Sequence, residues 1–336
     1  MKVFLNVVLS AVLLTACASP MPDWVNSASK KYPSEQYLIG RGQAPKADEA
    51  RDRARADLAK IFEVSVTVES QDVQIFRLQT AKDKTAKSAD EYPDQTSRQI
   101  ITRADQIIEA IQIADVWRDP QIKTYHALAI LPRQQATQRL RQEIARLDAV
   151  TGTYLETARN SGDPLRKIGA TQQALDAQMQ RVGYQKSLRN VDPVAQEKES
   201  AWSTAQLNAD LSDLLKRAHI AVKVKADMPK GFAAQVERIL AAAGFLIDTG
   251  EKPDYVLDTQ LTLEDLGWRE GQYWQRGILL ISLRETANER VRGSKQWDIK
   301  AAAAPDHAVS IQRARDQAVS ILRKELRDSL LGFAAP

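Results

Sequence analysis

Hydrophobic and polar positions along the first third of the chain change from a helical to a strand period. Residues 36–42 predict a strand that enters a glycine-marked turn, and apolar residues at helical spacing predict a helix over Lys46–Phe62. Residues 64–68 then alternate valine with polar side chains, which is typical of a half-buried strand. Two further strands complete a unit with one helix over an antiparallel sheet: Ile100–Trp117, of which residues 104–111 also fit a helix, and Thr124–Leu131.

The middle of the chain keeps a helical period over most of its length. From Arg133 to Leu215, leucine and other apolar residues recur at three- and four-residue steps. Residues 160–164 (Asn-Ser-Gly-Asp-Pro) end one helix and begin the next, so the two helices should form an antiparallel hairpin. A charged break at residues 190–203 precedes a third helix, Thr204–Arg217.

The last third of the chain predicts a second unit of strands and helices. Alternating apolar residues and one glycine stop signal predict the following elements: strands at residues 220–224, 245–248, 255–263, 278–283 and 296–302, and helices at Phe232–Ala243 and Asp306–Phe333. Residues 268–277 are predicted as a glycine-flanked turn region that is rich in aromatic residues.

These elements predict the α+β class, with two small helix-on-antiparallel-sheet domains joined by a helical hairpin spacer. No internal sequence repeat supports a duplication of the two units. The predicted segments are a signal peptide at 1–16, a lipidated tether at 17–22, a first domain at 23–135, a helical spacer at 136–217 and a second domain at 218–336.

The N-terminus has the layout of a lipoprotein signal. Lys2 precedes the apolar run Val3–Leu14, which is shorter than the about 20 residues that a membrane-spanning helix needs. Leu14-Thr15-Ala16-Cys17 resembles a lipobox, whose cysteine sulfur takes a diacylglycerol. Cys17 is the single cysteine, and a free thiol is unusual in a secreted chain. We therefore predict attachment to the membrane through acyl chains on Cys17, palmitate among them, instead of an ordinary signal peptide with a chance cysteine.

The residue after the cysteine indicates in which membrane the protein is anchored. This residue is Ala18 and not aspartate, which is similar to the pattern of lipoproteins that are sorted to the outer membrane. We therefore predict an outer-membrane lipoprotein on the periplasmic side rather than at the cell surface.

The composition is that of a globular protein. The chain is 43% hydrophobic and 27% charged with a net charge of +4, which excludes the disordered and fibrous classes. Outside the cytoplasm, nucleic acid is not an expected partner.

The sequence offers few residues for catalysis or metal binding. His126, His219 and His307 have no second ligand at the spacing of a zinc site, and no nucleophile elbow or phosphate-binding glycine loop is present. Glu264 and Asp265 are neighbouring acids in a predicted loop, where such residues are usually solvated. We predict that the chain is not an enzyme and that it holds no cofactor and no metal.

The most suggestive group of side chains is aromatic. Trp268, Tyr273 and Trp274 occur close together, with Arg269 and Arg276 beside them. Aromatic residues and arginine are enriched in the cores of protein interfaces, and aromatic residues also suit a membrane interface. The alternative is an ordinary core that caps the sheet. Our candidates for partner binding are Trp268, Tyr273, Trp274 and Arg276.

The N-terminal motifs resemble the LPP-twenty lipoprotein family. The resemblance rests on Pro22-Asp23-Trp24-Val25, on the strand that ends in Gly40-Arg41-Gly42, on the alanine- and arginine-rich helix around residues 50–55, and on a closing hairpin with Val116–Asp119 and Tyr125–Ala129. It covers roughly residues 22–135. Related domains occur in envelope lipoproteins and in the N-terminal domain of flagellar assembly protein T. The family implies no catalytic residues.

The C-terminal unit is more loosely similar to the TolB N-terminal domain and to penicillin-binding-protein activators. The likeness rests on Ala241–Phe245 followed by Pro253–Leu257. It implies a role in envelope assembly.

Two functions fit these observations. The first is a non-enzymatic binding or scaffold lipoprotein of the cell envelope, anchored through its acyl chains and docking an envelope protein partner, with a role in envelope or flagellar assembly. The alternative is an envelope hydrolase that acts on cell-wall glycan, which would require acids with shifted pKa values in a cleft.

Overall fold

A computed structural model describes five ranges of the chain, which form two units. Three predicted features lie outside the described residues: the strand at residues 64–68, much of the strand at 100–117, and Cys17. The described residues are 20–60, 110–194, 199–225, 231–247 and 253–334. The first unit comprises residues 20–60, 110–140 and 187–194, and the second comprises residues 141–186, 199–225, 231–247 and 253–334.

Within the described residues, the first unit is a three-stranded antiparallel sheet with a helix beside it. The helix and the antiparallel sheet are as the sequence predicts, and the fourth predicted strand, at residues 64–68, lies outside these ranges. Its elements up to the third strand are α1 (Asp23–Asn26), β1 (Tyr37–Ala44), α2 (residues 47–60), β2 (Gln112–Arg118) and β3 (Tyr125–Pro132). β3 lies between β1 and β2 and is antiparallel to both. Trp24 and Trp117 are buried with Leu128 and Ile130 in one apolar cluster.

Gly40 and Gly42 do not form the predicted turn, because both lie inside β1. A Cβ atom on Gly42 would lie 2.1 Å from the Ala50 carbonyl oxygen, and one on Gly40 would lie 2.3 Å from that of Ala54. The two glycines therefore allow the backbone of α2 to approach the strand, a use of glycine that differs from its use in turns.

The helical hairpin is present as predicted. It consists of α3 (Arg133–Asn160) and α4 (Pro164–Val191). The Asp163 carboxylate accepts the backbone N–H of Leu165 at 2.9 Å at the start of α4. Arg181 Nε donates to Asp148 Oδ1 at 2.7 Å, and Gln178 Nε2 donates to Thr151 Oγ1 at 2.8 Å. These buried polar contacts fix the antiparallel register of the two helices.

The second unit contains a five-stranded sheet in the order β5-β4-β6-β7-β8. Its elements after the hairpin are α5 (Thr204–Arg217), β4 (His219–Val224), α6 (Phe232–Ala242), β5 (Leu246–Ile247), β6 (Tyr255–Arg269), β7 (Gln272–Glu285), β8 (Val291–Ala304) and α7 (His307–Phe333). The predicted α+β class is confirmed, but this sheet is mixed: β4 is parallel to β5 and β6, because α6 carries the chain back between β4 and β5.

One face of this sheet is buried under helices and the other is more open. Apolar residues of α4, α5, α6, α7 and the strands form one core on the buried face, including Leu257, Leu279 and Leu322. We call the opposite side the outer face; it includes Ile278 and Leu280, which are partly exposed. Within the described ranges, no helix has the length and apolar character to cross a membrane.

The aromatic region at residues 268–277 is a pair of strands and not a turn region. β6 and β7 run almost to the end of a long hairpin, and only Glu270 and Gly271 lie between them. Their φ angles are +50° and +77°. Two consecutive left-handed residues are typical of the tight two-residue turns that join twisted strands.

Candidate functional site

The end of the β6–β7 hairpin carries a row of aromatic rings, which we call the aromatic row: Trp268, Tyr273 and His307. Trp268 and Tyr273 are opposite each other in the two strands, with ring centroids 4.8 Å apart and planes at 68°. Tyr273 in turn contacts His307 of α7 at 5.2 Å and 72°. Edge-to-face geometry of this kind is favourable for aromatic pairs. Trp268 is nevertheless 57% exposed.

Hydrogen bonds at the base hold the aromatic row in place. His307 is the first residue of α7, and its Nε2 lies 2.8 Å from Asp265 Oδ2. Asp265 Oδ1 accepts the backbone N–H of Gly267 at 2.9 Å and the amide of Gln275 at 3.0 Å. The Gly267 N–H and then His307 lower the pKa of Asp265, so this carboxylate is stabilised in its charged form.

Trp274 and Arg276 lie on the outer face, away from the aromatic row. Residues one apart on a strand point to opposite faces, so Trp274 faces away from Tyr273. Trp274 Nε1 donates to the Arg269 carbonyl at 3.0 Å, and Arg276 forms a two-point ion pair with Glu264 at 2.7 and 3.1 Å. The structure therefore brings together two of the four predicted partner-binding residues, Trp268 and Tyr273.

Sequence reasoning missed His307 and Asp265 as parts of this site. His307 follows Asp265 by 42 residues, so no local spacing connects them. The β-bulge between Asp265 and Gly267 is what turns Trp268 onto the same face as Tyr273. Only the strand register, together with the start of α7, brings these side chains into contact.

The paired acids at this hairpin do not have the properties of a general acid. The hydrogen bond from Arg276 is the main cause that lowers the pKa of Glu264, and the pKa of Asp265 is also lowered. A glycosidase acid needs a raised pKa to hold its proton near neutral pH. Both carboxyl groups act instead as structural acceptors.

The other two histidines lie in strands away from the aromatic row. His126 of β3 lies beside Trp117, with ring centroids 5.5 Å apart, and His219 begins β4. Across the part of the chain that the structure describes, no group of three or more histidine, cysteine and acidic residues could hold a metal ion.

The sequence of the first unit matches a known protein family. Residues 22–131 match the model of the LPP20 lipoprotein family. This match confirms the resemblance to the LPP-twenty family over the strands and helix of the first unit, and it supports a lipoprotein. The likenesses to flagellar assembly protein T and to TolB-type domains stay predictions. The comparison with curated proteins gives no match.

Solved structures with partial similarity include secreted and lipoprotein chains. The secreted protein HP1454 of Helicobacter pylori is 13% identical with a TM-score of 0.42, covering 85% of this chain and 96% of its own. A minor lipoprotein of Acinetobacter baumannii is 12% identical with a TM-score of 0.28, covering 34% of this chain and 92% of its own. Protein XCC0632 of Xanthomonas campestris is 12% identical with a TM-score of 0.26, covering 34% of this chain and 84% of its own.

Proposed function

We propose that the chain is a non-enzymatic lipoprotein of the cell envelope that binds a protein partner through the aromatic row. The family match over residues 22–131 and the lipobox at Cys17 support the membrane anchor. The observation that carries the binding role is Trp268, a large aromatic side chain that is 57% exposed at a hairpin end. Tryptophan is among the residues that contribute most to binding in protein interfaces.

The aromatic row is ordered without a partner, which favours binding. The ring of Tyr273 contacts those of Trp268 and His307. His307 is in turn hydrogen-bonded to Asp265. A side chain that is already held loses little conformational entropy when a partner covers it. A partner can therefore bury the exposed face of the indole ring at a small cost in conformational entropy. This supports a role in a protein interface over the alternative of an ordinary core.

The acyl anchor gives this surface its place in the cell. In our proposal, Cys17 carries the lipid and Ala18 directs the protein to the outer membrane, with both units on the periplasmic side. The protein then acts as a scaffold that holds an envelope partner near the membrane. The competing role of the same residues is insertion of the aromatic row among lipid headgroups.

The binding role is tested with Trp268→Ala in the full chain, used as bait in envelope extracts. The protein most enriched by the wild type is then purified and its Kd measured. We expect Trp268→Ala to weaken this affinity at least about tenfold, the effect of removing an interface hot spot. Ile278→Ala is the matched control, because Ile278 is an exposed apolar residue of the same hairpin on the outer face.

Both variants should keep the wild-type circular dichroism spectrum and unfolding midpoint, because both positions are exposed. Equal affinities for the wild type and a folded Trp268→Ala variant would rule out the aromatic row as the binding surface. Loss of binding in both variants alike would also contradict the proposal, since it would place the interface elsewhere on the unit.

A further inference from the structure

The outer face of the five-stranded sheet contains a cavity of about 220 Å³ between β4, β6 and β7. The strand register explains which side chains meet there. Lys223 is paired with Asp258, and Asp258 is paired with Ser282. Side chains of directly paired residues point to the same side of a sheet. The other lining residues are Val224, Lys225, Thr259, Gln260 and Leu280.

The cavity has an excess of positive charge. Its lining residues include two lysines and one acid, Asp258. Asp258 accepts from Arg284 Nε at 3.1 Å, and Arg284 also pairs with Glu289. Lys223 and Lys225 are exposed, and Lys223 lies directly opposite Asp258 in the sheet. Because the two lysines are two residues apart along an extended chain, their side chains lie on one face, with Cα atoms about 6.6 Å apart. The two positive charges repel each other, and an anion bound between them would relieve this repulsion.

The neutral groups of the cavity favour an anion with several acceptor oxygens. Ser282 supplies a hydroxyl donor, and Gln260 supplies an amide whose Nε2 also donates to Thr262 Oγ1 at 3.0 Å. Leu280 adds an apolar surface beside them. Lysine is a common phosphate ligand in proteins, because its ammonium group acts as a point charge that can approach several phosphoryl oxygens.

We propose that this cavity binds the phosphoryl group of a small anionic ligand, either a soluble phosphorylated molecule or the headgroup of a phospholipid. The cavity lies on the face opposite to the aromatic row. A failure of this proposal therefore leaves the proposed partner binding untouched, and the two can be tested separately.

The test uses the full chain with reductively ¹³C-methylated lysines, titrated with inorganic phosphate and glycerol 1-phosphate. We expect the methyl signals of Lys223 and Lys225 to shift with either probe, and the double variant Lys223→Gln/Lys225→Gln to lose at least about tenfold in affinity. Lys300→Gln is the matched control, because Lys300 is an exposed lysine of β8 outside the cavity. Its affinity should stay within about twofold of the wild type.

Vesicles distinguish the two sources of the phosphoryl group. A Cys17→Ser chain, which cannot be acylated, is mixed with phosphatidylglycerol or phosphatidylcholine vesicles. Lysine-dependent binding to the vesicles points to a headgroup, and lysine-dependent binding to glycerol 1-phosphate alone points to a soluble ligand. The proposal is overturned if no phosphorylated probe shifts these two lysines, or if Lys300→Gln weakens binding as much as the double variant does.

Discussion

At the scale of single residues, glycine has three different uses in this molecule. Gly42 admits the backbone of α2 against β1, since a Cβ there would lie 2.1 Å from a carbonyl oxygen. Gly271 has a φ of +77° at the hairpin end, and Gly267 has a φ of +75° in the bulge of β6. Only the last two depend on the left-handed backbone that glycine readily adopts. Substitutions at the first kind of position should therefore act through steric overlap.

Gly42→Ala should lower the free energy of unfolding by about 1–3 kcal/mol, because the methyl group forces α2 away from the sheet. Urea unfolding followed by tryptophan fluorescence measures this loss, since Trp24 and Trp117 are buried in the same unit. Gly162→Ala is the control: nothing lies within 4 Å of a Cβ at that position. It should change stability by less than about 1 kcal/mol in either direction. Equal losses for the two variants would show that α2 is not in close contact with β1.

The prediction of residue roles from sequence worked where the cause is local and failed where it is not. Trp268 and Tyr273 are recognisable because aromatic residues cluster within a few positions. His307 and Asp265 are not, because 42 residues separate them and a bulge sets which face they share. Likewise, the glycines at 40 and 42 looked like turn residues, because the sequence does not show that a helix lies against them.

At the scale of elements, amphipathic helices were the easiest parts to predict. The bounds Thr204–Arg217 of α5 are those predicted, because Leu207, Leu211 and Leu215 mark its buried face and Ser203 caps its first turn by accepting from Gln206 N–H. The hairpin β6–β7 was predicted with strands that are too short. Its glycines suggest a loop, whereas Gly277 lies within β7, where a Cβ would meet the Thr262 carbonyl at 2.3 Å.

A charged contact joins α7 to β8 in addition to the apolar core that covers the sheet. Glu325 of α7 accepts from Lys295 Nζ at 2.8 Å and from Trp297 Nε1 at 2.7 Å. Burial raises the pKa of Glu325, but the hydrogen bonds from Lys295 and Trp297 outweigh it, so the net pKa is lowered from 4.5. The unfolded chain then binds the proton at a higher pH than the folded chain does. This contact therefore stabilises the fold at pH values above the pKa that Glu325 has in the unfolded chain. The stabilisation is lost as the pH falls through the pKa of Glu325 in the folded chain.

The stability difference between wild type and Glu325→Gln should therefore shrink with acidification. Urea unfolding at several values between about pH 7 and about pH 3 should show a less stable variant at neutral pH that approaches the wild type at acid pH. Ser329→Ala is the control on the same helix, because its hydroxyl, which donates to the Glu325 carbonyl, does not ionise. A difference for Glu325→Gln that stays constant over this range would contradict the assigned contact.

At the scale of the whole molecule, the proposed function requires a membrane anchor and an exposed binding surface. The anchor is a prediction from the sequence around Cys17, supported by the lipoprotein family match over residues 22–131. Fold class followed from hydrophobic periods, since helices and strands differ in repeat. The mixed sheet of the second unit did not, because strand direction depends on how α6 crosses between β4 and β5.

Cys17→Ser should release the protein from the membrane fraction and abolish the incorporation of radiolabelled palmitate, because no sulfur remains to carry acyl chains. Fractionation of cell envelopes by ultracentrifugation measures the first effect. Ser19→Ala, two residues after the lipobox cysteine, should leave both properties unchanged. A Cys17→Ser protein that stays in the membrane fraction and takes up label would disprove the lipid anchor.

The most direct test of the central claim places a photoreactive phenylalanine analogue at position 268 of the full-length protein in living cells. Irradiation should join the chain to one discrete envelope protein, because Trp268 lies at the exposed end of the aromatic row. The same analogue at position 278, on the outer face of the same hairpin, should give no such product. Crosslinking to lipid alone at position 268, or the same protein product from both positions, would contradict the account.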